Sequence, residues 1–200
     1  MIIKTLSILC PLLFSVLSVC AQEKSTFDRN GVYFGFNAGT WAGDSDNKVL
    51  GSPFMGGMFF EYINEKNAYA FTFDIYGNTA ETETLNLKYR NGVVSSKWYS
   101  GAQIGLEYSR QLYAVNRLSL EALSGLGYGQ TTYFNPREGK DDVDQGSLYV
   151  SPGISIRVFV TKNAFLRLKV QYHVTNYDLG DDLSTSFKGN YFMTKLSFGW

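Results

Sequence analysis

Few side chains in this sequence are equipped for chemistry. The only histidine among the 200 residues is His173, with Thr175 and Asn176 close behind it. Histidine changes charge near neutral pH and so suits proton transfer; on the face it shares with charged neighbours, a packed polar role is expected. The acidic run Glu138-Gly139-Lys140-Asp141-Asp142-Val143-Asp144 offers carboxylates to a divalent cation. Its spacing is not that of an EF-hand, and a solvated loop is expected there. Gly125-Leu126-Gly127-Tyr128-Gly129 lacks the strand-turn-helix context of a phosphate-binding loop. No cofactor and no metal site is expected. The largest group is ionic: Glu61, Asp74, Glu107 and Glu121 in the earlier part of the chain, and Arg157, Arg167, Lys169 and Lys195 in the later part.

The elements that position these side chains alternate with period two, the signature of half-apolar strands. Gly31 to Trp41 puts Val32, Phe34, Phe36 and Ala38 on one face and Gly35, Asn37 and Gly39 on the other. Pro53 to Tyr62, Ala68 to Tyr76, Trp98 to Arg110, Leu118 to Tyr133, Ser147 to Val160, Ala164 to Tyr177 and Asn190 to Trp200 repeat the pattern, with Leu123 breaking it in the fifth. The connections alternate in length. Ile63 to Asn67, Gln111 to Asn116 and Thr161 to Asn163 are short; Ala42 to Ser52, Gly77 to Lys97, Phe134 to Gly146 and Asp178 to Gly189 are long. Short turns at one end and long loops at the other are the plan of an up-and-down membrane barrel, with both termini on the short-turn side.

Alternation alone leaves open which face is inside. A soluble lipocalin-like carrier would turn its apolar face inward around a ligand, and Gly39-Thr40-Trp41 resembles the G-x-W of that family. The other face decides the matter. It holds all eight charged residues named above together with many glycines, and buried charges must be paired. Acids on early strands and bases on late ones suit pairing across a narrow interior. Aromatic residues gather at both strand ends: Trp41, Phe54, Tyr76, Trp98, Tyr128, Tyr172 and Phe192 near the long loops, and Tyr62, Tyr69, Tyr108, Phe198 and Trp200 near the short turns. Two such belts are expected at the two interfaces of a bilayer. The fold expected is therefore all-β, an eight-stranded antiparallel up-and-down transmembrane β-barrel.

Residues 1–21 read as a signal peptide: Lys4, an apolar run from Leu6 to Val19, and small residues before a cut after Ala21. A lipoprotein signal acylated at Cys20 is the rival, disfavoured by Val19 just before it. Cys10 and Cys20 leave with that segment, so the mature chain has no disulfide and no thiolate metal site. Residues 22–30 form a polar lead and 31–200 the barrel. The chain carries 18 basic and 18 acidic residues, and loss of Lys4 leaves a mature net charge of −1, which suggests no nucleic-acid partner. Beyond the leader no apolar run is long enough for a membrane helix.

Signal peptide, eight alternating strands, loop asymmetry and the aromatic final strand with Phe192, Phe198 and Trp200 resemble the small OmpA/OmpX-type outer-membrane barrels of Gram-negative bacteria. The resemblance covers essentially the whole mature chain. It implies an outer-membrane location, contact with membrane lipid and lipopolysaccharide, an extracellular ligand of the loops, and recognition of Leu196, Phe198 and Trp200 by the barrel-assembly machinery. The expected role is structural, adhesive or in surface interaction, through a filled barrel with four long loops outside. Some eight-stranded outer-membrane barrels are lipid A deacylases with an H-x-S-N motif, which His173, Thr175 and Asn176 resemble. That alternative would make Thr175 the nucleophile, His173 the base and Asp178 or Asp181 the orienting acid. Threonine stands where that motif has serine.

Overall fold

The computed structural model describes residues 29–43, 51–77, 84–89, 92–134, 142–175 and 190–200. The leader, most of the lead, Asn176, Asp178, Asp181 and residues 138–141 of the acidic run lie outside the described residues. The strands are β1 (Gly31–Gly43), β2 (Phe54–Asn64), β3 (Asn67–Gly77), β4 (Leu85–Tyr89), β5 (Gly92–Ser96), β6 (Tyr99–Val115), β7 (Leu118–Tyr133), β8 (Val143–Thr161), β9 (Ala164–Thr175) and β10 (Tyr191–Gly199). Eight of them close into an antiparallel barrel in the order β1-β10-β9-β8-β7-β6-β3-β2. The remaining pair, β4 and β5, forms a separate hairpin within the connection from Gly77 to Lys97, where sequence alone suggests only a loop.

Two-residue turns join β2 to β3, β6 to β7 and β8 to β9. Glu65 and Asn116 take φ of 53° and 51° in the first two, the left-handed backbone that the tightest hairpins use. Closure comes from the two end strands. Trp41 pairs with Met193 and Phe36 with Phe198, and beyond the ladder the Trp200 and Phe34 backbones exchange two hydrogen bonds of 2.9 Å.

The register fixes the dimensions. Paired residues followed round the barrel from Gly31, through Ile63, Ala68, Ser109, Leu123, Gly153, Gln171 and Met193, return to β1 at Trp41, ten residues further on. Eight strands with that stagger tilt by about 40° and enclose a cylinder of radius about 8 Å, which side chains can fill.

Strand parity then sorts the residues. Val32, Phe36, Phe60, Phe71, Leu106, Leu126, Val150, Ile154, Leu196 and Phe198 are exposed on the outside, while the opposite positions are buried. The charged face is therefore inside, the reverse of a lipocalin, and this excludes the carrier reading. Leu123 keeps the parity of its strand as an apolar residue of the inner face. The aromatic belts need one correction: Trp41 and Tyr76 are buried, 6.3 Å apart ring to ring, and not at a lipid interface. Each shares its strand's parity with inner residues, Trp41 with Asn37 and Tyr76 with Asp74. The other residues assigned to the belts remain outside or half-buried.

Glycines on the inner face make room for large rings. A Cβ on Gly127 would lie 2.5 Å from Tyr149 Cζ, and one on Gly105 would lie 3.2 Å from the same atom. Gly127→Val is accordingly expected to lower the stability of the folded barrel by about 1–3 kcal/mol through overpacking. Urea titration in detergent micelles, followed by intrinsic fluorescence, measures this loss.

Candidate functional site: the barrel interior

The chemically distinctive part of the molecule is its interior, built by the inward positions of successive strands. On β9 these are Arg167, Lys169, Gln171, His173 and Thr175, climbing in that order from the short-turn end. They meet acids carried on β2, β6 and β7, while the acid of β3, Asp74, meets Lys195 on β10.

At the lowest level Glu61 accepts hydrogen bonds from Arg157 Nη1 at 2.8 Å, Arg157 Nη2 at 2.9 Å and Arg167 Nη1 at 2.6 Å. Glu121 lies 2.8 Å from Arg157 Nε and 3.3 Å from Arg167 Nε, and also accepts from Ser155 Oγ at 2.9 Å. Two carboxylates and two guanidiniums thus balance in charge. Fork-shaped donors meeting paired oxygens make the strongest class of protein hydrogen bond.

Above them Lys169 Nζ donates to Glu107 Oε2 at 2.8 Å, and Gln171 Nε2 donates to the other oxygen of Glu107 at 3.3 Å. Higher again, Lys195 Nζ donates to Asp74 Oδ2, which also accepts from Gln103 Nε2 at 3.1 Å. Each ion therefore has an opposite charge within reach. Glu121 and Arg157 pair between the neighbouring strands β7 and β8, but the other ion pairs join non-adjacent strands, so the network braces the barrel across its lumen: Glu61 on β2 reaches Arg157 on β8, and Asp74 on β3 reaches Lys195 on β10.

An aromatic layer lies beneath the lowest ions. Tyr33, Phe59, Ile63, Ala68, Phe159 and Phe165 form one buried cluster, and the Arg157 guanidinium stands 4.4 Å from the Phe165 ring centre. Arg29 crosses the rim below, donating to Gln111 Oε1 at 2.7 Å and to the Asn116 carbonyl at 2.6 Å, with its guanidinium 5.6 Å from the Phe159 ring. Neither this layer nor Arg29 is among the site residues expected from sequence. The signal is nonetheless present in the parity of Tyr33, Phe59, Phe159 and Phe165, which share the inner face with the ions.

His173 is 1% exposed and lies between two rings, Tyr149 and Tyr191, each 4.8 Å away. Neither of its ring nitrogens has a hydrogen-bond partner among the described residues. Tyr191 Oη donates to Gln103 Oε1 at 3.3 Å, which ties this layer to Asp74 below. Thr175 is the next inward position of β9 and is also buried. The pair faces the lumen, away from any acyl ester held in a surrounding bilayer. An unpartnered buried imidazole carries a desolvation penalty. His173→Phe, which fills a similar shape without the polar atoms, is expected to raise stability by about 1–3 kcal/mol in the same urea titration.

A closed, eight-stranded antiparallel barrel is the architecture of small outer-membrane barrels, and solved structures of that class are similar to this chain. Neisserial surface protein A is similar over 84% of this chain and 94% of its own, at 17% identity and a TM-score of 0.56. A major outer-membrane protein of Thermus thermophilus is similar over 85% of this chain and 99% of its own, at 10% identity and a TM-score of 0.50. No family model matches the sequence, and no curated protein matches it.

Proposed function

We propose that this protein is an outer-membrane barrel of a Gram-negative bacterium, secreted by way of its N-terminal 21 residues. Its role is structural or in surface interaction. The observation that carries the reading is the inversion of polarity. Exposed side chains such as Leu148, Leu126, Ile154 and Phe71 make an apolar exterior that water would penalise, while the lumen holds charges that lipid would penalise. Only a hydrocarbon solvent outside makes both arrangements favourable.

In this reading the short turns and both termini face the periplasm. The four long connections face outward and carry the contacts with lipopolysaccharide and with an extracellular ligand. The layered lumen, closed by Arg29 and the aromatic cluster, conducts little. Leu196, Phe198 and Trp200 present the final strand to the barrel-assembly machinery. Function of this kind resides in the loops, since one barrel serves many roles.

Fractionation of cells expressing the full chain tests the proposal. The protein is expected in the outer membrane, migrating faster on a gel unheated than boiled; recovery in the soluble periplasmic fraction would overturn it. Lipid A from the same cells is expected to show an unchanged acyl-chain mass. Loss of an acyl chain that depends on His173 would restore the hydrolase alternative.

A further inference from the structure

The two rims of the barrel differ in the sign of their exposed charge. At the short-turn rim the exposed ionic side chains among the described residues are Lys66, Arg110, Lys162 and Glu65. Arg29 and Arg117 add positive charge at the same rim; Arg117 Nη1 donates to the Val160 carbonyl at 2.9 Å. At the opposite rim the exposed ionic side chains among the described residues are Lys97, Asp142 and Asp144. Among the described residues, cations thus prevail at the first rim, and carboxylates outnumber them by one at the second.

The positions of these cations matter as much as their sign. Arg110 follows Tyr108 by two residues on the outward face of β6 and pairs with Asn67 at the edge of the β2–β3 turn, while Leu112, Tyr113 and Val115 are exposed further along the β6–β7 hairpin. Tyr108 packs against Tyr69 with ring centres 5.4 Å apart, and its hydroxyl donates to Asn67 Oδ1 at 2.7 Å, beside Lys66 in the β2–β3 turn. Lys162 occupies the β8–β9 turn on another side of the barrel. Tyrosine rings settle at the boundary of hydrocarbon and headgroup, so charges beside them at this rim stand in the phosphate layer. Long basic side chains at that depth reach toward headgroups.

We propose that the short-turn rim is a binding surface for anionic phospholipid headgroups, with Lys66, Arg110 and Lys162 as its principal cations. The inference rests on the membrane reading above and adds a lipid preference to it. Anionic lipid gathers around this rim and leaves the opposite rim unenriched.

Tryptophan supplies a reporter at each end, since Trp200 lies at the short-turn rim and Trp98 at the other, both exposed. The full barrel is refolded as a W41F/W98F variant, leaving Trp200, and as a W41F/W200F variant, leaving Trp98. The vesicles contain phosphatidylcholine and phosphatidylglycerol, with bromine on the chains of one lipid or the other. Trp200 is expected to be quenched about threefold more by brominated phosphatidylglycerol than by brominated phosphatidylcholine, as attraction of a few basic residues to an anionic surface implies. Trp98 is expected to show no difference. Adding K66Q, R110Q and K162Q together, or raising salt to about 0.5 M, should erase the difference at Trp200; the salt arm needs no charge variant to fold. Equal quenching of Trp200 by the two lipids would overturn the inference, as would a preference that survives the triple substitution. Barrel that folds in neither vesicle, judged by gel mobility, would overturn the membrane reading and this inference with it.

Discussion

Glu61→Gln is expected to cost the barrel about 3–5 kcal/mol of folding stability, the range for breaking a buried ion pair from one side. Glu61 is 1% exposed and accepts three hydrogen bonds from two arginines. Glutamine keeps the shape and one acceptor oxygen, but it leaves two guanidiniums sharing Glu121 alone. The cost therefore comes mainly from uncompensated charge. Removing one of those cations as well should return part of it: E61Q/R157M leaves Arg167 beside Glu121, one ion of each sign, 3.3 Å apart. The double variant is expected to be more stable than the sum of the two single losses implies. Additivity within about 0.5 kcal/mol in the urea-unfolding cycle would mean that the residues are not coupled.

Deleting the last three residues, Phe198 to Trp200, is expected to prevent closure of the barrel. The deletion removes the two 2.9 Å backbone bonds between Trp200 and Phe34 and the Phe36–Phe198 and Gly35–Gly199 pairs of the seam. It also removes an outer aromatic cluster in which Trp200 lies 5.5 Å from Phe34, 5.6 Å from Phe36 and 5.5 Å from Phe198. A barrel whose seam is shortened exposes unpaired strand edges, and in hydrocarbon each unpaired backbone group costs several kcal/mol. The truncated chain should therefore lack the fast-migrating unheated gel form that the full chain shows. A truncated chain with full yield of that form would mean that closure depends little on the terminal segment.

Much of this architecture is legible in the sequence because period-two alternation acts residue by residue. Parity assigns Glu61, Asp74, Glu107, Glu121, Arg157, Arg167, Lys169 and Lys195 to one face, and the structure places all of them inside. The connection lengths also give the antiparallel order without reference to pairing. Parity does not give register, however. That Glu61 meets Arg157 and Arg167, while Asp74 meets Lys195, depends on the ten-residue stagger of the closed sheet, which no local pattern encodes. Trp41 and Tyr76 depart from expectation for a different reason: a place near a strand end suggests an interfacial belt, but parity turns both rings inward. The β4–β5 hairpin is not legible because strands of five residues hold too few alternations to stand out from a loop.

If the barrel spans a bilayer, its apolar face meets lipid. Single cysteines at Leu106, Leu126, Val150 and Ile154, introduced into the mature chain and spin-labelled in reconstituted bilayers, report collisions with oxygen, which concentrates in hydrocarbon, and with a water-soluble nickel chelate. Frequent oxygen collisions and almost none with the chelate are expected at all of these positions. Free access of the chelate to them would contradict a bilayer-spanning barrel, because the apolar exterior would then be facing water.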